Sequence, residues 1–402
     1  MTRSVFRRLW QPPTRYEDRA RERHVSFLEL FFDLVFVVIV AQLAHRLAEH
    51  PDWAGVGWFV FLFYAVWSSW VNGTLYYDLH GTDDVSVRVF TFAQMLAVAV
   101  MGVYVGDVPG DGSVGFALAY AFNLVILAII WFRTGLHDPH HRPASNPYSA
   151  AYLIAALIFA ISVLVEAPTR YWLWGGALLI AVAGQAIAFN RWTPPESQEG
   201  EAVIATTPSL IERFGLFVII VLGEVIVGAV TGMADLTPLD TDELVIGLFG
   251  VLIAIGMWWI YFDLVSHRVP VSRKTQLWSY LHFPLVVAIA AGGAGVLNTV
   301  EHASEPLPDE VRWLLVGALV LAMISVAVLT ATLEVRRDQP ELYRAADIAL
   351  VISAAVALGV GLANWGPKGT LGALGFLLLA PVVAGIVVSL KHLPGQAEVE
   401  VF

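Results

Sequence analysis

Apolar residues run along most of this chain in stretches of about 17 to 25, each closed by a short polar or turn-forming segment, a pattern that predicts helices able to cross a bilayer. Twelve are expected, near residues 25–48, 56–77, 89–106, 114–132, 149–165, 171–190, 210–230, 243–262, 277–298, 311–333, 345–363 and 369–390. The connectors carry turn chemistry, as in Gly106-Asp107-Val108-Pro109-Gly110-Asp111-Gly112, and none is long enough for a soluble domain. The pattern predicts an all-α, polytopic helical membrane protein.

The pattern also repeats. The first stretch carries Glu29 and Asp33 one turn apart on one helix face, inside Phe27-Leu28-Glu29-Leu30-Phe31-Phe32-Asp33-Leu34-Val35-Phe36. A second version begins the seventh stretch as Glu212-Arg213-Phe214-Gly215-Leu216-Phe217 and continues to Leu222-Gly223-Glu224. Tyr76-Tyr77-Asp78 is echoed by Tyr261-Phe262-Asp263, and Phe92-Ala93-Gln94-Met95-Leu96 by Tyr280-Leu281-His282-Phe283-Pro284. Six stretches per half is an even number, so the expectation is two parallel six-helix repeats about a pseudo-twofold axis along the membrane normal. The chain then divides into a basic tail (residues 1–24), a first repeat (25–192), a linker (193–208), a second repeat (209–390) and a tail (391–402).

Composition agrees with this reading. Of 402 residues, 57% are hydrophobic and 14% charged, with mean hydropathy +0.69, well below the quarter of charged residues in soluble domains. The first 24 residues are too polar and Arg-rich for a removable signal, so the first helix is expected to stay in the mature protein. Charge placement sets the orientation. With the N-terminus inside, only Arg46, Arg170, Arg312 and Lys368 of the 23 Lys and Arg fall outside, which predicts both termini to be cytoplasmic. The chain has no Cys, so disulfides, thiolate metal sites and Cys nucleophiles are excluded. The net charge of −11 would speak against nucleic acid in a soluble protein, but here its distribution across loops matters more than its sum; no nucleic-acid partner is expected.

The candidate chemistry lies in polar groups at membrane depth. Asp33 and Glu224 are expected roughly 5 and 6 Å from the midplane, too deep for short side chains to reach water, and such groups mark a functional site by default. Glu29, Glu212 and Arg213 lie nearer the interface, where they equally fit a structural ion pair. Asp78 and Asp263 end their helices, where they either cap the next loop or join Gln94 and His282 in a polar pathway open to the cytoplasm. Two loops, Asp78-Leu79-His80-Gly81-Thr82-Asp83-Asp84 and His137-Asp138-Pro139-His140-His141, hold ligand types at metal-like spacing, but short polar turns often look like this. No metal or cofactor is expected. The 14 Trp are expected mostly in lipid-facing or interfacial belts, with Trp53, Trp58, Trp172 and Trp174 near boundaries.

These motifs, together with Thr82-Asp83-Asp84, Trp258-Trp259-Ile260-Tyr261-Phe262-Asp263 and Tyr280-Leu281-His282-Phe283-Pro284-Leu285, resemble the bacterial low temperature requirement protein A family across nearly the whole chain. In the family pattern the Tyr-Asp of the second helix runs directly into the Thr-Asp-Asp, whereas Leu79-His80-Gly81 intervenes here. The resemblance implies a polytopic bacterial inner-membrane protein, with a stress-related role.

No Ser/His nucleophile pairing, two-His zinc helix or phosphate loop is present, so the chain is not expected to be an enzyme. The expectation is a secondary transporter in which Asp33 and Glu224 exchange protons or a cation while Arg213 counters an anionic substrate or a carboxylate. Glu29, Asp33, Asp78, Gln94, Glu212, Arg213, Glu224, Asp263 and His282 form the expected pathway. Its expected partners are the bilayer, a proton or small ion, an unidentified small solute, and a second copy as a homodimer. An ion channel between the repeats, or a non-catalytic cold-adaptation membrane protein, stays open beside it.

Overall fold

The structure is a computed structural model that describes residues 10–15, 24–82, 84–191, 206–234, 240–271 and 274–391. The expected linker up to residue 205, the C-terminal tail from residue 392, most of the basic tail, and Asp83 lie outside the described residues. Described residues are helical apart from connectors and one isolated bridge between Pro270 and Leu333. The helices are α1 (Phe27–Glu49), α2 (Trp53–His80), α3 (Val85–Val105), α4 (Ser113–His137), α5 (Arg142–Ser162), α6 (Thr169–Arg191), α7 (Pro208–Ala234), α8 (Thr241–Leu264), α9 (Thr275–Glu301), α10 (Asp309–Thr330), α11 (Pro340–Leu362), α12 (Pro367–Leu377) and α13 (Leu379–Lys391). They supply twelve spans long and apolar enough to cross a membrane, the last shared by α12 and α13.

That last span is broken for a visible reason. Pro381 has no N–H to give the Leu377 carbonyl one turn back, so the helix interrupts at Leu378. The Ser353 hydroxyl of α11 donates to the freed Leu377 carbonyl at 3.1 Å, which keeps it satisfied away from water.

The chain folds as two compact units, one holding residues up to Arg46 with Trp53–Ile220, the other Leu47–Asp52 with the chain from Val221 onward. The passage from one to the other falls within α7. In the first unit α3, α4, α5 and α6 pack in sequence order, with α4 the most enclosed span. The α5–α6 approach is close because Gly184 has no Cβ; one would meet the Ala151 Cβ at 2.2 Å. Phe116, Tyr120, Phe159 and Trp174 fill this core, and the Trp174 indole N–H donates to Ser162 Oγ at 2.8 Å.

In the second unit α9 is the most enclosed span, with α8 and α10 against it and α11 on α10. Asp240 and Glu243 form a reciprocal capping box at the start of α8. The expectation of Trp belts holds for Trp53 and Trp172, which are exposed, but Trp67, Trp70, Trp131, Trp174 and Trp278 are buried in the two cores. Large rings supply packing area here, provided a buried indole N–H finds a partner.

Candidate functional site

The first unit builds its charged centre from the start of α1. Ser26, just before the helix, donates from its backbone N–H and its hydroxyl to Glu29 Oε2, each at 2.9 Å. The Glu29 N–H donates back to Ser26 Oγ at 3.3 Å, so the Ser-x-x-Glu spacing makes a capping box. This leaves Oε1 of Glu29 facing Arg213 of α7, with Arg213 Nη1 at 3.6 Å.

One turn further along α1, Asp33 takes a tighter grip on the same guanidinium. Arg213 Nη2 lies 2.5 Å from Asp33 Oδ1 and Nε lies 3.3 Å from Oδ2, while the Trp70 indole N–H of α2 donates to Oδ1 at 2.7 Å. Asp33 and Arg213 are each only 1% exposed, so neither charge is shared with solvent. Aromatic rings close the sides. Arg213 sits 5.7 Å over the Phe32 ring, and Trp70 stacks on Phe217 at 4.2 Å with Phe214 at its edge. Arg213 faces inward because it shares a stripe of α7 with the buried Phe214 and Phe217; its neighbour Glu212 falls on another face and is exposed. The structure thus separates two residues that the sequence placed together.

Beside the triad lies a cavity of about 210 Å³, lined in part by Glu29, Phe32, Tyr77, Asp84, Arg88 and Arg213. It has room for several waters and is polar enough to hold them. Asp84 anchors its rim as the N-cap of α3. Its carboxylate accepts from the Gln11 N–H at 2.5 Å, Thr82 Oγ at 2.7 Å, Ser86 Oγ at 2.9 Å and the Val87 N–H at 3.3 Å. Burial alone would raise its pKa, but these four donors outweigh burial and hold the carboxyl below its ordinary value. Asp78 and Gln94 are buried nearby without lining the cavity. Asp78 accepts from the Thr207 hydroxyl, which itself accepts the Leu210 N–H at the start of α7, and Gln94 Oε1 accepts from the Tyr77 hydroxyl at 3.2 Å.

The sequence profile of the family described as bacterial low temperature requirement A protein (LtrA) matches residues 24–386, from two residues before the Ser26 cap to the last helix. The chain belongs to the LtrA family. A curated relative in Rhizobium meliloti (strain 1021), uncharacterized protein RA0937, is 29% identical over 300 residues, which are 71% of this chain and 72% of that protein. Family membership and twelve candidate spans together make this a multi-pass membrane protein.

The second unit of the LtrA chain holds the other expected site residues, and they are arranged differently. Glu224 of α7 is buried. Asp263 is exposed at the end of α8, where it accepts from the Trp259 indole at 2.8 Å, so it serves its own helix. His282 is buried and bonded on both ring nitrogens, with Nδ1 2.8 Å from the Trp278 carbonyl and Nε2 3.0 Å from the Tyr261 hydroxyl. A carbonyl can only accept, so Nδ1 carries a proton, and Nε2 shares its hydrogen bond with the Tyr261 hydroxyl.

Two features of the LtrA chain were not foreseen. One is Trp70, whose indole completes the Asp33 site; nothing in an apolar run of aromatics singles it out. The other is that the two polar loops meet. His80 at the end of α2 and Asp138 and His141 in the α4–α5 turn are all buried, with one potential ligand atom from each within 4.8 Å of the others. Burial, with the neighbouring His80 adding to it, pushes the His141 imidazole down to about 2, so it is neutral at physiological pH.

Proposed function

We propose that this LtrA-family protein is a secondary transporter of the bacterial inner membrane in which Glu29 exchanges a proton or small cation beside a fixed Asp33–Arg213 pair. The observation that carries this reading is the buried triad opening on a polar cavity. Two carboxylates share one guanidinium, Asp33 closely and Glu29 at longer range beside the cavity. A proton or monovalent cation at Glu29 neutralises its carboxylate and leaves Asp33 paired with Arg213. Glu29 is the exchangeable member because its ion pair is the longer, 3.6 against 2.5 Å, and because it borders the cavity; Asp33 is held by three bonds from two helices.

This refines the expectation that Asp33 itself exchanges the ion, and gives Arg213 the role of countering a carboxylate. Glu224 stays in the reading as a second exchanging acid. The basic residues Arg88, Arg133 and Arg142 flank the helix ends nearest the cavity, which supports a cytoplasmic position for that end and for both termini; the six helices on each side of the linker would form the two repeats.

The test is ion flux in proteoliposomes of purified protein, read by an entrapped pH dye under an imposed gradient and repeated with sodium or potassium. Glu29→Gln should abolish gradient-driven flux while the protein stays folded. Wild-type flux in both Glu29→Gln and Asp33→Asn would sink the proposal. Flux that passes freely without any driving-ion coupling would instead support a channel.

A further inference from the structure

We propose that His80, Asp138 and His141 form a binding site for a divalent transition metal, zinc in the first instance, which ties the end of α2 to the α4–α5 turn. The site does not depend on the transport reading and is separate from the Glu29–Asp33–Arg213 triad. All three side chains are buried, and their ligand atoms already lie within 4.8 Å of one another. Tetrahedral zinc with bonds of 2.0 to 2.2 Å places its donors about 3.3 Å apart, so closure by about 1.5 Å or less completes the geometry. The two imidazole rings stand perpendicular with centroids 4.4 Å apart, close enough for small rotations to achieve this.

Each ligand is also oriented by a second group, as metal ligands are. His80 Nδ1 lies 2.8 Å from the Thr14 carbonyl. That carbonyl only accepts, so Nδ1 holds the proton and Nε2 presents its lone pair. Asp138 Oδ1 accepts the backbone N–H groups of His140 and His141 at 3.1 and 3.2 Å, which fixes the carboxylate across the turn. His141 precedes the first residue of α5 and lies against Trp131, which stacks in turn on Tyr148 at 4.2 Å.

The donor set selects the ion. Two imidazoles and a carboxylate suit zinc and its first-row neighbours, and they disfavour magnesium and calcium, which take oxygen ligands. Three protein ligands leave a fourth position for water. The bound ion would hold more than two helix ends, because the His80 carbonyl also accepts the Thr14 N–H at 3.1 Å and Gly81 the Thr14 hydroxyl at 3.1 Å. The same segment reaches the cavity rim, where the Gln11 N–H meets Asp84.

The experiment uses full-length, tag-free protein in detergent, stripped with chelator and then dialysed with zinc or cobalt. Wild type should retain one zinc per chain, gain thermal stability on zinc addition, and with cobalt show visible d–d bands of tetrahedral intensity. His141→Gln and Asp138→Asn should each weaken zinc binding more than about tenfold and abolish the cobalt bands. Stoichiometric binding that survives in both variants would overturn the site, since the ion would then sit elsewhere. Should the variants fail to fold, wild type decides alone: no cobalt bands and no zinc-dependent stabilisation also overturn it.

Discussion

Each unit sets a tyrosine of one helix against a polar side chain of the next, Tyr77 of α2 with Gln94 of α3 and Tyr261 of α8 with His282 of α9. What surrounds the two pairs differs. In the first unit the neighbouring helix ends carry a buried Asp78, a charged triad and a cavity of about 210 Å³. In the second, Asp263 turns outward, His282 is bonded on both ring nitrogens, and the crevice lined by Leu222, Val225 and Met257 holds about 30 Å³ of largely apolar space. Similar residue words therefore become a site in one place and a packed core in the other. The deciding factor is a charged partner that another helix supplies, here Arg213.

The sharpest way to break this comparison is to remove Arg213. Arg213→Ala leaves the buried Asp33 without its guanidinium and should cost about 3–5 kcal/mol, read as a large drop in thermal stability in detergent. Replacing the set together, as Arg213→Met with Asp33→Asn and Glu29→Gln, should recover most of that loss while flux stays abolished. Recovery of both stability and flux would show that the triad only holds helices together.

Next in size is Asp84→Ala, which should cost about 1–2 kcal/mol through loss of the α3 cap. Its carboxyl is held below its ordinary value, so its stabilisation is complete above the unfolded pKa of about 3.9 and fades as pH falls through the lower folded value. Acid titration of unfolding should show that extra loss in wild type but not in Asp84→Ala. In the second unit Tyr261→Phe should cost about 1 kcal/mol and leave flux unchanged. Glu212→Gln, exposed beside Arg213, should change stability by less than about 0.5 kcal/mol. A Tyr261→Phe effect on flux as large as that of Glu29→Gln would erase the distinction between the units.

Much of the architecture was legible because bilayer spans must be long and apolar. The first expected span, 25–48, is α1 at Phe27–Glu49, and the family motifs lie where the helices do. The interruption of the twelfth span was missed although Pro381 signals it, because an apolar count does not register a missing N–H. Asp33, Glu29 and Arg213 were each visible as ionisable residues in apolar runs. An ion pair among Glu29, Glu212 and Arg213 was one of the readings, but which acids take it, with Asp33 the closer, depends on how α1 and α7 are rotated; the stripe of Phe214 and Phe217 beside Arg213 was the available signal, and it also turns Glu212 outward. The two metal-like loops were seen singly. That His80 meets Asp138 and His141 is a tertiary fact, settled by which helix ends lie side by side.

The length of α2 has a further consequence. Its 28 residues span about 42 Å, and even at a tilt of about 20° this exceeds a hydrocarbon layer of about 30 Å by nearly two turns. The surplus must stand in the headgroup layer, and Tyr76 to His80 occupy one end of it. Lipid chain length thus sets the depth at which that end, and the cavity that Tyr77 lines with Glu29, stands. Longer acyl chains would draw it toward oil, and a series of bilayers of graded thickness would report on the access of water to Glu29 without altering a single residue.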